Sequence, residues 1–456
     1  MMSQSSPEWA TWQARWVSLD ETMKEMLKQD WTMARGATLL SLTRHLQGYA
    51  GRLFDFLYDG FGDSQHIRLE RSRHFPVEYA FRHLLDQVSF DLAVIRTAAS
   101  QRLGSARQQR ALATSDALAW MALKPALGSL VTEATVVTYF QKQPAVRVIP
   151  YAPVALVGVP YTAMPTEKSA GNMRDFLAIP HEVGHYVYRH GWIEGERCQV
   201  ALRNSLPGEP VWLERWLEEL FADVYGGLIG GPIMALSFQE LQTDNHIEEL
   251  GRDDGRHPVA ALRPYVYSDL LRGMGLAIPA DQLDKKWAGS LRRLGAPESF
   301  RPFQPEAADG GATERVPLTK ARDEIKEVVK LIEEKIVGLI PSLGGAASSN
   351  WSGADSTGNV ADMFKGFINR LQSLSPGTMP QLPELMGDAN GSQLQPAQNV
   401  GAAKKYEIGA TDLWGDDLLR PERPGPRRAL PPAVWLEVVF GNGWVAGGPE
   451  GDPHPK

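Results

Sequence analysis

The chain has 456 residues, 43% hydrophobic and 22% charged. That balance excludes a fully disordered, collagen-like or coiled-coil chain, and the length exceeds what one hydrophobic core holds. Lys and Arg number 47 against 54 Asp and Glu, a net charge of −7. Nucleic acid is therefore not an expected partner, because binding phosphates needs a basic surface.

Cys198 is the one cysteine, so no intramolecular disulfide forms and an oxidising compartment is not required. Residues 1–16 are polar and Trp-rich, without the basic start and apolar centre of a signal peptide. No window reaches the ~20 apolar residues of a membrane span. The most apolar stretch, residues 224–238, is broken by four glycines and a proline. A cytoplasmic protein with no membrane span is expected.

Residues 1–140 read as a helical region, with apolar residues at helical spacing. Trp9, Trp12 and Trp16 share one helical face and are expected to pack a core. Residues 145–160 are rich in Val and Pro and predict short strands, followed by a turn over 165–172. Helix is predicted over 173–190, with Pro180 either in its first turn or at a kink and Gly191 as the stop. A second helix is predicted over 211–226, and further helices over 258–295.

Residues 301–317 read as a linker. Over 318–340, Ile325, Val328, Val329, Ile332, Ile336 and Leu339 line one face of an amphipathic helix. Residues 341–401 are rich in Gly, Ser, Ala, Asn and Pro, with one helix candidate at 361–374. The last 50 residues carry one apolar run, 434–440, that reads as a strand.

The chemistry begins at His181-Glu182-Val183-Gly184-His185. Histidines four apart lie one helical turn, about 5.4 Å, along the same face, where both imidazoles can bind one zinc ion. Glu182 sits beside that face, where a general base belongs. A catalytic zinc takes a third protein ligand and keeps one position open. Glu219 and Asp223, again four apart in W-L-E-E-L-F-A-D, supply a ligand and a carboxylate to orient a ligand histidine. Glu218 competes with Glu219 for the ligand role. Further on, His257 and Arg263 are candidates to hold a developing oxyanion or the substrate backbone, with Tyr225 and Tyr265 as weaker ones. An ordinary solvated acidic helix face also accounts for Glu218, Glu219 and Asp223 taken alone.

H-E-V-G-H, then E-L-F-A-D, then H-P-V-A-A-L-R resembles the gluzincin metallopeptidases, in an order most like the CAAX prenyl endopeptidases and heat-shock membrane endopeptidases. The resemblance covers residues 145–275. It implies that His181, His185 and Glu219 bind one Zn2+, Glu182 is the catalytic base, Asp223 stands behind the ligands, and His257 and Arg263 lie near the substrate. It also implies a substrate-binding edge strand ahead of the zinc helix, for which 154–160 is the candidate. The chain lacks the transmembrane helices of those enzymes, so the expectation is a soluble relative of the catalytic core.

The expected fold is α+β, mostly helical, with a zincin-like core and a small mixed sheet. The expected domains are a helical region (1–140), a metallopeptidase domain (141–300), a linker with an amphipathic helix (301–340) and a partly irregular C-terminal region (341–456). The expected function is zinc-dependent hydrolysis of a protein or peptide substrate, with the N- and C-terminal regions as candidate docking regions. The rivals are an inactive zinc scaffold, a non-haem iron site built on the same three ligands, and an interaction module with an accidental motif.

Overall fold

A computed structural model describes residues 7–61, 68–70, 77–164, 171–206, 208–243, 245–303, 314–345, 351, 360–373, 378–386 and 405–407. The chain is mostly helical with little strand, an α+β composition. It divides into two compact units: Met1–Gly104 with Arg147–Val154 and Pro380–Lys456, and Ser105–Val146 with Ala155–Met379.

The first unit is built on α1 (Pro7–Leu27), α2 (Gly36–Phe61) and α3 (Val77–Arg102). Leu39, Leu42, Leu46, Ala50, Leu53 and Leu57 recur every three or four residues along α2, and all are buried. The tryptophans of α1 take their expected place. Trp9 packs edge-on against Tyr58 and Phe81, Trp12 stacks on Phe81, and Trp16 stacks on Phe54. The short helix α13 (Leu382–Met386) packs on α2. Arg35 donates to the Pro380 carbonyl at 3.0 Å, and Thr38 donates to Gln381 at 2.6 Å. β1 (Arg68–Glu70) pairs in parallel with β9 (Lys405–Glu407).

The second unit opens with α4 (Ala106–Leu123), whose N-cap Ser105 accepts from the Gln108 amide. A three-stranded sheet follows, made of β2 (Thr135–Gln141), β3 (Ala145–Arg147) and β4 (Val154–Pro160). Then come α5 (Ile179–His190), the ribbon β5 (Trp192–Ile193) and β6 (Glu196–Arg197), α6 (Cys198–Asn204) and α7 (Val211–Gly230). The remaining elements are α8 (Pro232–Gln242), α9 (Arg263–Gly273), α10 (Ala277–Leu294), β7 (Ser299–Phe300), β8 (Val316–Pro317), α11 (Leu318–Leu339) and α12 (Val360–Ser373).

Pro180 lies in the first turn of α5, where its missing N–H costs nothing. The apolar stretch 224–238 is divided at Gly231, whose φ of 61° ends α7 before α8 starts. Among the described residues no helix is long and apolar enough to cross a membrane. The apolar face of α11 is covered by α7 and α9, so burial inside its own unit explains the pattern.

Three expectations need correction. First, the expected domain limits at 140, 300 and 340 do not coincide with the units. Helix α4 belongs with the second unit because its buried face packs on β2 and α5, and Arg147–Val154 returns to the first unit after β3. Second, strand begins at Thr135, ahead of the Val- and Pro-rich run. Third, residues 154–160 are not an edge. β4 lies between β2 and β3, and every one of its residues is buried, which fits its near-continuous Val and Leu. The expected strand at 434–440 and most of the expected turn at 165–172 lie outside the described residues.

Candidate metal centre

Helices α5 and α7 pack along each other with their backbones nearly touching. The contact is made by glycine. A Cβ on Gly184 would meet the Ala222 Cα at 2.8 Å, and one on Gly226 would meet the His181 backbone at 3.0–3.1 Å. The helical cost of each glycine, about 1 kcal/mol against alanine, is offset by this approach. It brings the i, i+4 pair His181/His185 of α5 onto the i, i+4 pair Glu219/Asp223 of α7.

The donor atoms converge. His181 Nε2 and His185 Nε2 are 3.1 Å apart. Glu219 Oε1 is 3.4 Å from His185 Nε2, and Glu219 Oε2 is 3.5 Å from His181 Nε2. A tetrahedral zinc with ligand bonds of 2.0–2.1 Å puts its donors about 3.3 Å apart. The separations of 3.1, 3.4 and 3.5 Å between the three donors are close to the edges of such a tetrahedron. At 3.1 Å two facing imidazole nitrogens have room for one cation between them, either a proton or a metal ion. The donor set therefore fits zinc.

Carboxylates stand behind both histidines. His181 Nδ1 lies 2.9 Å from Asp223 Oδ1, although at an angle too poor for a good hydrogen bond, so Nδ1 has no proper partner. His185 Nδ1 lies 3.2 Å from Glu218 Oε1. Asp223 is in turn held by Arg263, which donates from Nε at 2.6 Å and Nη2 at 2.9 Å, and by the Tyr267 hydroxyl at 2.8 Å. Arg263 Nη2 also donates to Glu219 Oε2 at 2.7 Å. Glu218 is held by Arg189, one turn beyond His185 on α5.

The field of the site follows from these contacts. Burial pushes the Glu219 carboxyl up, but His185, Arg263, His257 and His181 hold it well below the usual carboxylate range. Asp223 is likewise raised by burial and brought lower overall by Arg263 and His181. Glu182 behaves differently. It is buried, and burial raises its pKa against the pull of His181 and His185. An acid tuned upward beside the ligands suits a proton carrier. Glu218 is bonded by Arg189, Glu219 and Asp223 by Arg263, and Asp254 by His257.

His257 sits on the open side. Its side chain is 45% exposed, its Nδ1 lies 2.6 Å from Asp254 Oδ2, and its Nε2 lies 3.3 Å from Glu219 Oε1. Burial lowers its pKa, but Asp254 and Glu219 raise it to about 10. Three candidates are placed differently from the sequence expectation. Arg263 is mostly buried, with Nε and Nη2 donating to Asp223 and Glu219, so these two donors serve carboxylates. Tyr225 is fully buried and donates to the Ala122 carbonyl at 2.6 Å, toward α4. Tyr265 lies under the Arg322 guanidinium, 3.7 Å from it. The tyrosine that joins the site is Tyr267, four residues after Arg263 on α9. That spacing was a signal available in the sequence, as was Arg189 four residues after His185.

No protein-family model matches the chain, and no curated protein or solved structure does either.

Proposed function

We propose that the second unit is a zinc-dependent peptidase of the gluzincin type, with His181, His185 and Glu219 as metal ligands. The observation that carries this reading is the tetrahedral spacing of those three donors beside a buried Glu182 of raised pKa. A bound zinc would lower the pKa of a water to about 7 and polarise a peptide carbonyl.

The chain's own residues do the rest. Glu182 accepts the proton of the attacking water and passes it to the departing amine. Burial, which favours the neutral acid, helps Glu182 take up that proton and hold it until the amine departs. His257, fixed by Asp254 and half exposed, is placed to donate to the oxyanion that forms on the carbonyl oxygen. Asp223 and Arg263 keep Glu219 and His181 in position while the charge moves.

Two measurements test this. Elemental analysis of the chain, purified without a metal-binding tag, should find one zinc that is lost in Glu219→Ala; a metal-free wild type after zinc supply would end the reading. Glu182→Gln should keep zinc and lose peptide hydrolysis by ~10³-fold or more, on the scale of a missing general base with its proton transfers. Hydrolysis retained in Glu182→Gln would remove Glu182 from the mechanism. Zinc bound without any hydrolysis in the wild type would leave an inactive zinc scaffold.

A further inference from the structure

We propose that Glu218 and Arg189 form a positioning pair that fixes the tautomer of His185, a role resting on the metal reading above. In the sequence Glu218 competes with Glu219 for the third ligand position, although only Glu219 has an acid, Asp223, four residues on. Neighbours on a helix point about 100° apart, so only one of them can face the histidines in the same way. Glu219 reaches the Nε2 atoms of both histidines. Glu218 meets the other nitrogen of His185, Nδ1, at 3.2 Å. The two ring nitrogens direct their lone pairs away from each other, so a carboxylate at Nδ1 cannot share an ion with Nε2.

Arg189 keeps Glu218 in that place. Its Nε donates to Glu218 Oε1 at 2.8 Å and its Nη2 donates to Oε2, a two-pronged grip on both carboxylate oxygens. The pair is not a loose surface contact, since the Arg189 side chain is 15% exposed and that of Glu218 is 25%. A carboxylate held against Nδ1 requires the proton there and leaves the Nε2 lone pair free for an ion. His181 has a looser counterpart, with Asp223 2.9 Å from Nδ1 but poorly aligned, and Arg263 behind Asp223. Each ligand histidine thus has its own carboxylate and its own arginine.

The test uses the full chain in metal-free form, titrated with zinc against a competing chelator. Nitrogen NMR of the imidazoles reads the His185 tautomer independently of zinc. Glu219→Ala should abolish tight binding. Glu218→Ala should weaken zinc by about 10–100-fold, while Glu218→Gln, whose amide oxygen still accepts from Nδ1, stays within about threefold of wild type. Unchanged affinity in Glu218→Ala, alongside loss in Glu219→Ala, would overturn the pair and leave the metal site standing. Loss in both Glu218 variants as complete as in Glu219→Ala would make Glu218 a ligand and also overturn it.

If Glu218→Ala does not fold, Arg189→Met carries the test, and unchanged affinity there overturns the proposal. If the wild type binds no zinc, the metal reading fails but the pair is still decided by NMR. A proton on His185 Nδ1 that moves to a mixture of tautomers in Arg189→Met and Glu218→Ala, and stays in place in Glu218→Gln, supports it. A tautomer indifferent to Arg189→Met and Glu218→Ala overturns it.

Discussion

The two units contain the same buried trio, an aspartate held by an arginine and by a tyrosine four residues after that arginine. In the first unit Arg147 Nε donates to Asp91 at 2.6 Å and the Tyr151 hydroxyl donates to it at 3.0 Å. In the second, Arg263 Nε donates to Asp223 at 2.6 Å and the Tyr267 hydroxyl at 2.8 Å. The difference lies in what else the arginine holds. Arg147 spends its next donor on Gln87, a neutral amide. Arg263 spends its next donor on Glu219, so one guanidinium serves two carboxylates. Burial accordingly leaves Asp91 raised despite Arg147, whereas Asp223 is lowered, with His181 adding to Arg263. The same trio buttresses a core in one place and, in the other, also supports a second carboxylate, Glu219, that faces His181 and His185.

The most severe way to break this comparison is to remove each arginine. Arg147→Met and Arg263→Met should each destabilise by about 3–5 kcal/mol in urea unfolding, because each strands a buried carboxylate. Only Arg263→Met should also lower zinc affinity; equal zinc binding in the two variants would dissolve the distinction. A medium effect concerns pH. Burial and the nearby Arg147 lower the His83 pKa to about 4, from 6.5. The unfolded chain takes up that proton below pH 6.5 while the folded chain refuses it until pH 4. Stability is therefore whole above pH 6.5 and falls by about 2–3 kcal/mol as pH drops through that window. Replacing His83 with Phe should flatten the profile between pH 6.5 and 4, and an unchanged slope would show that His83 does not cause it. The smallest effect is that of the hydroxyls. Tyr151→Phe and Tyr267→Phe should each cost about 1 kcal/mol, with Tyr267→Phe alone altering zinc affinity measurably.

Local spacing made part of this site legible. The pairs His181/His185 and Glu219/Asp223 are one turn apart on their own helices, and the period of a helix is enough to find them. What joins them is not local. Arg263 and Glu218 take their roles from the crossing of three helices, and a sequence read in order offers both as plausible substrate or metal contacts. Tyr267 was hidden for the same reason, since its partner Asp223 lies 44 residues away. The units themselves were illegible because the first is completed by Arg147–Val154 and by residues after Pro380. Contacts such as Thr38 with Gln381 leave no periodic trace. β4 was misread as an edge because proline and valine say that a strand is there, but not which neighbours it has.

The glycine crossing of α5 and α7 has a consequence for how such a centre tolerates change. The spacing between its ligands is a backbone dimension, set by the α-hydrogens of Gly184 and Gly226 against the opposite helix. A single methyl at either glycine would prise the pair His181/His185 away from the pair Glu219/Asp223.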